Sequence, residues 1–303
     1  MNVSVVIPSK DRVTYLQRVL PSYLMQPEVR EIIVIIDGSS DGTLEFLEQY
    51  CQDNDVVRYL DNGVNRGIPF SRNRGIDVAQ SDYIFMAEDD LELTENFFST
   101  LFAHMAQINA DVICGRNIFR FDTETAEESI RRTDRLHGSY VNMKTIEIET
   151  GLNIHTDQVE PIIASPMLAK ATIYRDVRYD EMYRVNFWRE ETDFQLSARE
   201  RGLTLACCPH AICFNFQISN DRGGVHAARG IRREKWIVIN NWRFVTKHER
   251  FIKDNFQVGN KRVYIAKFAL GRVLKYLLVL PMVHGLSRAK RYVLDRRSRS
   301  NTQ

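Results

Sequence analysis

Several short stretches gather side chains that could do chemistry. Glu88, Asp89 and Asp90 are adjacent and directly follow the apolar run Tyr83-Ile84-Phe85-Met86. Neighbouring carboxylates repel one another unless a cation stands among them. Hard divalent ions take oxygen ligands and complete their shell with water and substrate phosphates, so the cluster suits Mg²⁺ or Mn²⁺ held against a diphosphate. An acidic turn capping the next helix is the plainer alternative. Asp37, in Ile36-Asp37-Gly38-Ser39-Ser40-Asp41, could accept from a base N–H or a ribose hydroxyl, or serve only the turn that Gly38 permits. Arg66, Arg72 and Arg74 lie around a helix start, where guanidinium and free backbone N–H groups suit phosphate oxygens; solvated surface arginines are the alternative. Glu190, Glu191 and Asp193 open another helix. Its dipole favours acids there, and a carboxylate so placed could also take a proton from an acceptor hydroxyl.

The elements that must position these groups are legible as period and punctuation. Residues 3–7, 32–36, 56–60 and 83–86 are short apolar runs that read as strands. Residues 13–24, with Asp11 as a candidate cap, and residues 43–51 and 71–79 have helical spacing. Apolar strands alternating with helices predict an α/β fold with a mostly parallel sheet flanked by helices. Ligands of such sheets bind outside the carboxyl ends of the strands, where the polar clusters at 9–12, 37–38 and 88–90 fall. Asp41 is a candidate cap for the helix after it. Residues 121–160 predict an irregular or antiparallel insertion. Order resumes at 162–205, with a helix near 191–201, and 235–248 is a mixed aromatic and basic helix.

The chain has 303 residues, 44% hydrophobic and 26% charged, which excludes wholesale disorder and a collagen-like chain. The net charge of +2 hides an asymmetry. Residues 259–303 hold 11 Lys/Arg against one acid, Asp295, so that tail is +10 and the rest about −8. The overall charge, with no recognition motif, argues against nucleic acid. Cys51, Cys114, Cys207, Cys208 and Cys213 are odd in number and sparse; they read as core thiols rather than disulfides or, with His210, a zinc site. The N-terminus lacks a basic n-region, and the apolar run 268–283 is broken by Arg272 and Lys275. Neither a signal peptide nor a membrane span is expected, and a reducing, cytoplasmic setting is. In the tail, Phe268, Leu270, Val273, Leu274, Leu277, Leu278 and Leu280 mix with basic residues, and Arg288, Lys290, Arg291, Arg296, Arg297 and Arg299 follow. Such a segment can lie on an anionic membrane surface, or pack as a helix on the body or on a homo-oligomer partner.

Five stretches in order, VSVVIPSKDR (3–12), IIDGSSDGT (35–43), NRGIPFSRNRG (65–75), FMAEDDLEL (85–93) and EETDFQLSARERG (190–202), give the chain its resemblance to the family 2 glycosyltransferases, over about residues 1–250. The resemblance implies a GT-A, Rossmann-like fold: a catalytic domain at 1–250, with a nucleotide-binding half to about 120 and an acceptor half after it, then a basic amphipathic helical extension at 251–303. It implies Pro8, Ser9 and Asp11 at the base pocket, Asp37 on base or ribose, Arg72 near the donor diphosphate, Glu88 and Asp89 at the donor, Asp90 as ligand of Mn²⁺ or Mg²⁺, and Glu191 as the base. Ala164-Ser165-Pro166-Met167 resembles the acceptor-side segment, Asp180-Glu181 the acidic pair before the base motif, and Asn240-Asn241-Trp242-Arg243-Phe244 the helix after the catalytic domain.

The activity implied is an inverting transfer from a nucleotide-sugar donor, a UDP-sugar favoured, to a glycan or lipid-linked acceptor, at the inner face of a membrane. The chain departs from the pattern where Glu88 and Glu191 stand for the commoner Asp, and Ile36 for an acid. Phe214-Asn215-Phe216 occupies the place of a metal-binding His, with His210 and His226 on either side. Two other functions stay open: a sugar-phosphate nucleotidyltransferase, whose glycine-rich loop after the first strand is missing, and a catalytically inactive membrane-associated scaffold.

Overall fold

Uninterrupted β-branched residues build the centre of the sheet. β1 (Val3–Ser9) pairs parallel with β2 (Val29–Ile36), and β2 with β3 (Val57–Asp61). On its other side β1 pairs parallel with β4 (Tyr83–Met86). β9 (Met167–Lys170) runs antiparallel between β4 and β6 (Val112–Arg120); β10 (Leu205–Phe216) is parallel to β6, and β5 (Leu91–Leu93) closes the edge antiparallel to β10. The computed structural model describes residues 1–154, 159–216 and 230–279, and in it these strands form one 8-stranded sheet in the order β3-β2-β1-β4-β9-β6-β10-β5. The expected mostly parallel α/β architecture is present.

Both faces of the sheet are covered, which is why its strands read as continuous apolar runs. Val5, Ile7, Val34 and Ile36 meet Leu16 and Leu20 of α1 (Val13–Leu24) and Phe97 and Phe98 of α4 (Phe97–Ile108). On the opposite face Val6, Ile33, Ile35 and Met86 meet Ile76 of α3 (Ile68–Val78) and Phe194 of α7 (Glu190–Arg199). Each such aliphatic side chain contributes roughly 1.5–3 kcal/mol on full burial. Contact is closest at Gly75 of α3: a Cβ there would lie 2.2 Å from Val6 Cγ1, so helix and strand approach only because the side chain is missing.

Several boundaries differ from the sequence expectation for local reasons. α1 spans 13–24 as expected, but Asp11 is not its cap; Asp11 has φ 53°, Arg12 is the cap residue, and Asp41 from the neighbouring loop accepts from Val13 N at 2.9 Å. Asp41 also accepts from the Thr43 hydroxyl at 2.5 Å, beside the start of α2 (Thr43–Asp53). α3 begins three residues earlier than expected because Pro69 sits in its first turn, where a missing N–H costs nothing. In the 121–160 region, α5 (Ala126–Thr133) is fixed by a reciprocal Thr125/Glu128 capping box, and β7 (Val141–Asn142) pairs with β8 (Glu147–Ile148).

The chain then adds α6 (Ala171–Asp176), α8 (Gly230–Lys247), α9 (Glu249–Asn255) and α10 (Lys261–Leu274), with a π-helical turn at Lys275–Val279. Cys114, Cys207, Cys208 and Cys213 are buried free thiols, Cys51 is half-buried, and His210 is exposed. His226, Leu280 and the basic residues from Arg288 to Arg299 lie outside the described residues.

Candidate active site

The strand order turns around β1: the chain steps outward through β2 and β3, then returns to place β4 on the other side. Pairing of β1 with β4 ends at Val6 and Met86, while β1 continues to Ser9 beside β2. The two strand ends diverge there and open a crevice at a topological switch point. Loop 9–12 comes from one wall and the acids 88–90 from the other. Arg12 spans the gap, its Nη1 donating to Asp89 Oδ1 at 2.9 Å and to Asp90 Oδ2 at 2.6 Å. Arg12 is buried, and both carboxylates hold its guanidinium firmly charged against the desolvation that opposes it.

The acid cluster is strongly perturbed. Burial first, then Glu191 and Asp90, push the Glu88 carboxyl up to about 8 against the opposing charge of Arg72. Burial also raises Asp89 to about 6, with Arg12 opposing and Asp90 adding. Asn215, at the end of β10, donates its Nδ2 to Glu88 at 3.3 Å and to Asp90 at 3.1 Å. Asn215 thus stands at the acids, in the stretch where the resemblance leads one to seek a histidine.

Among the described residues no group of three or more Asp, Glu, His or Cys side chains converges to cage an ion. Glu88 and Asp90 still offer hard oxygens, and the Asn215 amide presents a third when turned over. That set fits Mg²⁺ or Mn²⁺ completing its shell with water and a substrate diphosphate.

Asp37 is buried, and its oxygens accept from Asn62 Nδ2 at 2.9 Å, Arg66 N at 2.7 Å and Gly67 N at 2.9 Å. It fixes the loop that launches α3. Asp11 is engaged by Lys10 and by Ser40 N and Oγ. Arg72, buried on α3, reaches across to α7: Nη1 donates to Glu190 Oε1 and Nη2 to Glu191 Oε1, both at 2.5 Å. Its guanidinium also faces the Tyr179 ring at 5.0 Å. The Glu190 side chain is 6% exposed and that of Glu191 31%. Burial raises the Glu190 carboxyl to about 8; Arg72 opposes this, and Glu191 and Glu88 add to it.

Two cavities meet at this point. The smaller, about 290 Å³, is lined by Pro8, Ser9, Lys10, Arg12, Asp37, Asp89 and Asp90 among others; Asp11 is not in its wall. The larger, about 560 Å³, is lined by Asn117, Ala164, Ser165, Trp188, Glu190 and Glu191 among others. Arg72, Glu88 and Asn215 belong to both walls, with Ile68 and Phe119. The structure therefore brings together Pro8, Ser9, Asp37, Arg72, Glu88, Asp89 and Asp90, puts Glu191 on the far side of the shared wall, and ties Asp11 into the adjacent loop. Asp180 is bound by Arg243 of α8 at 2.6 Å, and Glu181 accepts from Asn73 at 2.9 Å, so that acidic pair anchors helices.

Sequence reading gave no role to Arg12, Glu190 or Asn215. Arg12 was visible only as one member of a polar loop, and nothing local marks it as the partner of acids 77 residues away.

Comparison with known proteins bears on the family and the fold. The family model described as "Glycosyl transferase family 2" matches residues 4–175. The glycosyltransferase GlyG of Streptococcus pneumoniae is 31% identical over 121 residues, which is 40% of this chain and 40% of that protein. The aligned stretch thus spans well under half of that relative. Among solved structures, S. aureus TarS 1–349 in complex with UDP-GlcNAc superposes with a TM-score of 0.57 at 15% identity, covering 91% of this chain and 73% of that one. GalNAc-T7 with UDP, GalNAc and Mn²⁺ gives 0.64 at 14% identity, covering 89% and 55%. At such identities the superpositions speak for the fold, which is GT-A-like.

Proposed function

The chain belongs to glycosyl transferase family 2, and we propose that it moves a sugar from a nucleotide-diphospho-sugar, UDP-linked first among candidates, to a hydroxyl of a glycan or lipid-linked acceptor in polysaccharide or envelope synthesis. The observation that carries this reading is the pair of cavities sharing one charged wall. A transferase must hold two substrates on opposite sides of the atom that moves. The smaller cavity, walled by Pro8, Ser9, Asp37 and the acid cluster, suits the donor nucleotide and its diphosphate. The larger suits a polyhydroxylated acceptor, since Asn117, Thr150, Ser165, Glu191 and Thr192 put polar side chains in its wall. The structure of GalNAc-T7 contains UDP, GalNAc and Mn²⁺, which supports a divalent ion here.

When bound, Mn²⁺ or Mg²⁺ supplies Lewis-acid neutralisation of the departing diphosphate. Asp90 would hold it, with Glu88 and Asn215 able to add oxygens beside it. Arg72 adds a fixed positive charge on the shared wall, where negative charge develops on the leaving group. Glu191 stands across that wall from the donor, on the acceptor side, and takes the proton of the attacking hydroxyl. Attack from that side inverts the anomeric carbon.

The test is a thermal-shift panel of UDP-, GDP- and dTDP-sugars with Mn²⁺, Mg²⁺ or chelator, because a ligand of the native state raises its apparent stability by mass action. The expected outcome is a rise with one nucleotide class that chelator abolishes. Folded protein that no nucleotide-sugar stabilises would count against the donor site.

A further inference from the structure

α10 packs on the body through the part-buried Tyr264 and Ile265; Arg272 Nε also donates to Glu234 Oε2 of α8 at 2.6 Å, and Tyr264 Oη donates to Thr145 O at 3.1 Å. Its solvent side carries Arg262 and Lys267 but also a set of large apolar residues. Val263 is 50% exposed, Leu270 58%, Val273 50%, Leu274 45% and Leu277 59%. At 100° per residue these positions share one stripe, roughly 100° wide, directly opposite the side that packs on α8. Arg262 and Lys267 flank the stripe, and residues 261–279 contain no Asp or Glu. A surface helix ordinarily presents charge to water and buries such a stripe. Beyond the described residues the sequence stays basic, with Asp295 the one acid of residues 259–303.

We propose that this outward face of α10 docks on an anionic lipid surface, with the stripe entering the acyl boundary and the flanking cations meeting the headgroups. Charge chooses the occupant. An apolar stripe bordered only by cations is complementary to an anionic interface, whereas a second copy of the same basic face would repel it. Among the described residues no helix is long and apolar enough to cross a membrane, so the contact is with the surface. The inward side of α10 touches a residue of the larger cavity's wall from behind. Arg189, which lines that cavity, donates to Tyr264 Oη at 3.4 Å and to Asn241 Oδ1 at 3.0 Å. The docking does not depend on the transferase reading.

The experiment is co-sedimentation of the full chain with vesicles of phosphatidylcholine alone or mixed with phosphatidylglycerol, without donor or acceptor, so that a failed transferase assay leaves its result standing. The expected result is binding to the mixed vesicles and little to the neutral ones. The doubly substituted Leu270→Asp, Leu274→Asp chain should lose roughly tenfold or more of its partitioning, with an unchanged melting temperature. Lys267→Glu should weaken binding and flatten its dependence on salt. Equal pelleting of wild type and both variants, or no binding to anionic vesicles, overturns the proposal. So does a dimer in sedimentation velocity that Leu270→Asp dissociates, which would give the face to a second copy.

Discussion

Glu190 and Glu191 are neighbours on one helix and share one arginine, and Glu191 is the proposed base because it is the more open of the two. Its carboxylate is partly open to the larger cavity, while that of Glu190 is closed in behind Arg72. Glu191→Gln keeps the shape and loses the base, so turnover should fall by roughly 10²–10⁴ with donor affinity little changed. Steady-state rates set beside a donor titration check this, and near-normal turnover would remove Glu191 from the role. Arg12 invites a different test. Arg12→Met leaves the buried Asp89 and the part-buried Asp90 without their cation, which costs up to about 3–5 kcal/mol. Added Mg²⁺ should recover more of the melting temperature in the variant than in the wild type, since the freed carboxylates then lack any other positive partner. Equal Mg²⁺ shifts in both proteins would mean that the acids are not an ion site.

α3 carries the energetics of the donor side at the scale of elements. Arg72 is one turn before Gly75, and Gly75 lies so close to Val6 that a methyl group cannot fit. Gly75→Ala should cost about 1–3 kcal/mol, lower the melting temperature by several degrees and raise the donor KM, because Arg72 moves with the helix. Adding Val6→Ala should return part of both losses, and a double-mutant cycle with no coupling would refute the contact. This lock was not legible from Arg74-Gly75-Ile76 alone, since a helical glycine has no signature until its neighbour across the sheet is known. β1 to β4 were legible because both sheet faces are buried and each strand is an unbroken apolar run, and the helices between them because they repeat their period; α4 and β6, which follow, were not read. Even α5 left a readable mark in Thr125 and Glu128, which the looseness of its surroundings obscured. The acids and their strand end were readable for the same local reason. Arg12 and Asn215 were not: their roles come from β1 pairing with β4 and β10 with β5, which is topology rather than spacing.

Across the whole molecule the buried carboxyls pull stability in opposite directions with pH. Burial raises Asp193 of α7, but hydrogen bonds and charge from His248 and Lys247 outweigh it and hold the carboxyl below its ordinary range. Stability from such a group is present above the unfolded pKa and is lost as pH falls through the folded one. Glu88 and Glu190 have the reverse sign, both raised to about 8. Above the ordinary glutamate range their unfolded forms release protons that the folded forms still hold, so stability falls as pH climbs toward 8 and levels beyond it. The ligand-free chain should therefore be most stable in mildly acidic buffer, with a melting temperature lower by about 2–6 °C near pH 8.5. Glu190→Gln removes one of the raised groups and should flatten part of that fall while leaving the acid-side loss in place. A melting profile that is flat between pH 5 and 8.5, or that Glu190→Gln does not alter, would show that Arg72 already keeps Glu190 ionised. In that case the charge shared among Arg72, Glu190 and Glu191 would be balanced before any donor arrives.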